Sequence, residues 1–136
     1  MKYLKFLVLA LMVSIAFATT GASAYWREMV ISNVEVPGFR GTVNLNNPQT
    51  TLGHHYVKTN DTVDKWSAEQ RATEAKVYPT ATSDTAGSSW YHLPNGGEYQ
   101  DMGDLGFGVY DLKFREKSSS ILGFYWFGQW KYDQQL

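Results

Sequence analysis

The chain contains no cysteine among its 136 residues. No disulfide braces it, and no thiolate is available to ligate a metal or attack a substrate. Small exported domains of eukaryotes commonly lean on disulfides, so a cysteine-free chain that carries an export signal points to a bacterium, particularly one exporting across a single membrane. Histidine is nearly as scarce, with only His54, His55 and His92. His54 and His55 are adjacent, so on a strand their rings point to opposite faces and do not share one metal ion. There is no HExxH or comparable spacing, and Asp101, Asp104 and Asp111 do not complete a calcium loop. No metal site and no cofactor are expected. A GxSxG nucleophile motif is also missing, and no pair of carboxylates stands out from the 13 acidic residues. The chain is therefore not expected to be an enzyme.

Charge of one sign is lacking too. The formal net charge is −1, with no run of Lys or Arg. That balance argues against nucleic acid, and against an anionic membrane surface held by electrostatics alone.

Long hydrophobic runs are absent apart from one short stretch at the N-terminus. Lys2 and Lys5 precede an apolar segment from Phe6 to Phe17, and Ala22-Ser23-Ala24 is a small-x-small cleavage site. This pattern predicts a secretory signal peptide over residues 1–24, removed on export, and hence a secreted protein. The apolar segment is too short to span a bilayer, so the mature chain is expected to have no integral membrane span. Residues 25–136 then form one domain, a size that suits a single core. Losing Lys2 and Lys5 takes the net charge from −1 to −3.

What the chain has in abundance is aromatic residues: 5 Trp, 9 Tyr and 7 Phe, of which only Tyr3, Phe6 and Phe17 precede Tyr25. Without disulfides, stability must come from the core, and each buried aromatic removes a large apolar area from water. The densest stretch, Leu105 to Tyr132, predicts one long β-hairpin turning at Glu116–Ser120. Side chains alternate faces along a strand. Tyr110, Leu112 and Phe114 share one face of the first arm, with Asp111, Lys113 and Arg115 on the other. In the return arm Leu122, Phe124, Trp126 and Trp130 share a face, with Gly128 as the gap between the two indoles. Phe124, Trp126, Tyr110, Leu112 and Phe114 are the expected core.

Further strands are predicted over Tyr25–Val36 (with a bulge), Phe39–Leu45, Gly53–Thr59, Ala72–Tyr78 and Trp90–Leu93, the last pairing back with Glu98–Met102 across Pro94-Asn95-Gly96-Gly97. A short helical turn through Val63, Trp66 and Gln70 is predicted, capped by Asp61 or Thr62. Thr80–Ser89 reads as a polar surface loop. Seven or eight short strands, parted by Gly, Pro and Asn turns, predict an all-β fold: a small antiparallel β-sandwich or an open barrel.

If one face of the return arm is core, Tyr125 and Phe127 project from the other. Two readings follow for that pair. Either a second sheet or a loop covers them, or they form a binding platform for sugar rings, a peptide, a lipid surface or another copy of the chain.

A signal peptide, a short cysteine-free β-rich domain and the closing run Gly123-Phe124-Tyr125-Trp126-Phe127 resemble small exported β-sandwich proteins of Gram-positive bacteria, of which the lactococcin-type bacteriocins are the nearest family. The resemblance implies a β-sandwich and an exported, non-enzymatic effector acting at a bacterial cell envelope. The other reading is a secreted glycan- or peptide-binding module. Under either, the partner is a cell-envelope component or glycan, self-association being a further option, and Tyr125 and Phe127 are the candidate binding residues.

Overall fold

The computed structural model describes residues 24–67, 70–81, 86–117 and 121–135. Residues 1–23 of the expected signal peptide and the middle of the Thr80–Ser89 loop lie outside these residues. Among them nine strands occur: β1 (Ala24–Val36), β2 (Thr42–Asn44), β3 (Gln49–Thr51), β4 (His54–Asp64), β5 (Thr73–Pro79), β6 (Tyr91–Leu93), β7 (Gln100–Asp104), β8 (Gly108–Glu116) and β9 (Phe124–Gln135). The fold is all-β, as the strand and turn pattern predicts. One antiparallel sheet has the order β1-β9-β4-β7 and the other β2-β8-β5-β6, with β3 also paired to β8.

The aromatic stretch does not form a hairpin. β8 and β9 lie in different sheets: β9 is flanked by β1 and β4, while β8 pairs with β5, β2 and β3. The physical reason lies in the side chains. In a hairpin the two aromatic faces would lie side by side and need a third layer to cover them. As an arch across the sandwich they bury each other, and Phe114 meets Trp126 with ring centroids 4.4 Å apart. Tyr110, Leu112, Phe114, Phe124 and Trp126 are all buried, which bears out the expected core, and Trp130 is buried with them. β6 and β7 likewise part company, β6 pairing with β5 and β7 with β4.

Glycine has a steric role at the centre of β9. A Cβ on Gly128 would overlap the Lys58 carbonyl and the indole of Trp126, which leans across the gap. Trp126 in turn donates its indole N–H to Thr59 Oγ1 (2.9 Å), so this large ring is buried with its polar atom satisfied.

Two local expectations are corrected. The strand proposed for Phe39–Leu45 shrinks to Thr42–Asn44, because Phe39 and Arg40 both take φ +57°. Among the described residues no helical turn follows Asp61: β4 continues its ladder with β9 through Val63↔Tyr125 and Asp64↔Phe124, and Trp66 is 80% exposed. Long-range pairing overrides a weak local preference there. The bulge in β1 is present as a register shift between Ile31 and Val34, with Asn33 at φ +63°.

Candidate functional site

The outer face of the four-stranded sheet carries the candidate site. Alternation along β9 sends Phe124, Trp126, Trp130 and Tyr132 inward and Tyr125, Phe127, Gln129 and Lys131 outward. Register then places neighbours on the same outer face. Tyr125 lies between Glu35 of β1 and Val63 of β4, and Phe127 stands beside Asp61 of β4. Neither ring faces the second sheet, and both are half-buried by their neighbours on the same face. The Lys65 ammonium sits 5.4 Å from the Tyr125 ring centroid and pairs with Glu35. Lys65 is thereby held over the ring by both its charge partner and the ring's negative face.

A second aromatic group occupies the other half of the face. Trp26 of β1, His54 and Tyr56 of β4 and Tyr99 just before β7 converge around Lys131 of β9. His54 and Tyr56 are two apart on one strand and stack, with centroids 5.1 Å apart and planes 12° from parallel. Trp26 meets both at an angle, at 5.9 and 5.6 Å. The Lys131 ammonium lies 5.3 Å from Trp26, 5.5 Å from Tyr56 and 5.3 Å from Tyr99. Lys58 also approaches Tyr99, at 4.9 Å. One cation thus gathers three rings, which holds them in place before any ligand arrives. Burial, reinforced by Glu28, pushes the Tyr99 hydroxyl up to about 12, so it remains a neutral hydrogen-bond donor; it reaches Gln129 Oε1 at 3.3 Å. His54 faces Asp101 at 3.5 Å.

The histidine pair divides between the faces as its adjacency predicts. His54 belongs to the outer cluster. His55 is fully buried, accepting from Trp130 Nε1 at Nδ1 (3.2 Å) and facing Thr51 Oγ1 from Nε2 (3.2 Å). Asp101 and Asp104 accept from the backbone of their own turns, at Gly103 N and Gly106 N. Asp111 takes the backbone N–H groups of Asn46 and Leu112 on the other sheet. Among the described residues, no three His, Cys, Asp or Glu side chains gather as a metal site.

Sequence reasoning placed Tyr125 and Phe127 on this face and missed the Trp26–His54–Tyr56–Tyr99 group. The signal for it was present as parity: Trp26 alternates with Glu28, and His54 and Tyr56 with Lys58. These segments come from three strands far apart in the chain, and only the register of β1, β9 and β4 unites them.

The fold and face together define an all-β sandwich with an aromatic outer surface. No family model, curated protein or solved structure matches the chain.

Proposed function

We propose that the protein is an exported, non-enzymatic effector that acts at a bacterial cell envelope, in the manner of a bacteriocin, and binds an envelope glycan through the outer face of its four-stranded sheet. The observation that carries this reading is the pair of aromatic groups on that face: Tyr125 with Phe127, and Trp26, His54, Tyr56 and Tyr99 around Lys131. Sugar rings present flat faces of C–H groups that stack on aromatic side chains. The hydroxyls around them need polar partners, which Asp101, Gln129 and Lys58 supply at the rim. The charged groups here are engaged with one another, as His54 with Asp101 and Lys65 with Glu35, an arrangement suited to holding a ligand more than to proton transfer.

A secreted binding module without antagonistic activity would use the same face, and growth inhibition separates the two. Binding itself is tested on isolated cell walls. The wild-type protein should sediment with them, and the double variant Tyr125→Ser/Phe127→Ser should stay in solution while keeping its fold. A folded double variant that still sediments removes these two residues from the site.

A further inference from the structure

A second surface lies at one end of the sandwich. In the four-stranded sheet Val36, Phe124 and Asp64 stand level, and in the five-stranded sheet Thr73 stands level with Glu116 and Thr42 with the adjacent Arg115. The connections that leave Val36 (β1–β2), Asp64 (β4–β5) and Glu116 (β8–β9) therefore start together at this end. Lys117 N–H donates to the Ala72 carbonyl at 2.9 Å, tying two of them. Each of the three presents one large apolar side chain: Phe39 at 69% exposure, Trp66 at 80% and Ile121 at 74%. A fourth connection leaves this end at Leu93 and offers only Pro94-Asn95-Gly96-Gly97-Glu98 before Tyr99.

The turn under Phe39 argues that its exposure has a use. Phe39 and Arg40 both have φ +57°, and Gly41 N–H donates to the Gly38 carbonyl at 3.0 Å. Consecutive positive φ values across a four-residue turn suit Asn or Gly, and a bulky aromatic there is strained. A cheaper polar turn was open to this position, yet it holds a phenyl ring pointed at solvent. Charge follows the same geometry. Among the described residues of the three loops the charged side chains are Arg40, Lys65, Arg71 and Lys117, all cations. Arg40 and Arg71 pair with the less exposed Glu74 and Glu116 of the strands, and Lys65 with the more exposed Glu35. Glu69 is outside the described residues.

We infer that this end seats on a lipid bilayer, with Phe39, Trp66 and Ile121 entering the headgroup region and the loop cations meeting anionic headgroups. Three separate points projecting from loops suit insertion into a fluid interface better than a flat protein partner, and Trp is favoured at that depth. This surface shares Lys65 with the aromatic sheet face but none of its apolar side chains, and it does not depend on the glycan reading.

The test uses the full chain as its producing cell processes it, with vesicles of phosphatidylcholine alone or containing phosphatidylglycerol, which carry no glycan. The protein should sediment with the anionic vesicles. The triple variant Phe39→Ser/Trp66→Ser/Ile121→Ser should lose about tenfold or more of that binding, and Phe107→Ser, which removes an exposed ring at the opposite end of β8, should bind as wild type does. A wild-type protein that leaves both vesicle types unbound overturns the inference, as does a folded triple variant that binds undiminished. Should the triple variant unfold, brominated lipid decides the matter. It should quench part of the wild-type tryptophan emission, and Trp66→Phe should bind but lose that part. Unchanged quenching in Trp66→Phe would mean that another surface faces the lipid.

Discussion

Trp130 donates its indole N–H to Nδ1 of His55 at 3.2 Å, and the two rings stack with centroids 5.8 Å apart. That bond sets the tautomer of the imidazole. Nδ1 is the acceptor, so Nε2 carries the proton and donates to Thr51 Oγ1, which also accepts from Gly53 N–H. A second proton would put an unpaired donor against the Trp130 N–H inside the core.

His55 should therefore make stability fall with acid. Burial first, and the nearby His54 second, lower its pKa from 6.5 to about 4. A depressed folded value means that the unfolded chain binds the proton more readily. The contribution is fully present above pH 6.5 and is lost as pH falls toward 4, amounting to about 3 kcal/mol. Urea unfolding between pH 7 and pH 4 measures it, and His55→Gln should flatten the slope over that window. An equally steep slope in the variant would place the sensitivity elsewhere.

Trp126 should be among the costliest residues to truncate. It is fully buried, packs on Phe114 and satisfies its N–H on Thr59. Trp126→Ala is expected to cost about 3–5 kcal/mol, a large part of the stability of so small a domain. Thermal melting checks this against Tyr125→Ser, on the outer face of the same strand, which should cost far less.

Gly128→Ala should destabilise by about 1–3 kcal/mol, because the added methyl meets the Lys58 carbonyl and the Trp126 indole. Equilibrium unfolding that matched wild type would show that β4 and β9 give way at this point.

Phe39→Asn should do the opposite. Asn accepts positive φ more readily than Phe, so the variant should be more stable by about 0.5–1 kcal/mol. A raised melting temperature together with weaker vesicle binding would identify the strain as the cost of exposing the ring.

If residues 1–24 are a signal peptide, mass spectrometry of the exported protein should find Tyr25 or a near neighbour at its N-terminus. Met1 on exported material would contradict that expectation.

The face that each residue takes was legible from alternation alone. Tyr110, Leu112 and Phe114 point inward, as do Phe124, Trp126 and Trp130, while Tyr125 and Phe127 point out. Partners were not legible. Alternation in β8 and β9 is equally compatible with lying side by side or face to face, and only the mutual burial of Phe114 and Trp126 favours the arch. The Lys131-centred group was hidden for a related reason, since Trp26, Tyr56 and Tyr99 meet only once the register across β1, β9 and β4 is fixed. Phe39 misled because its turn chemistry is atypical: a Phe-Arg pair occupies positions where Asn-Gly would announce a turn.

Chemical-shift mapping of the isotopically labelled protein, titrated with muropeptides released from a bacterial cell wall, tests the glycan-binding face most directly. The account predicts that the perturbed residues cluster on one side of the four-stranded sheet, around Trp26, His54, Tyr56, Tyr99, Tyr125 and Phe127, leaving the outer face of the five-stranded sheet unmoved. Saturating muropeptide that shifts none of these residues, or that moves chiefly β5 and β8, would contradict it.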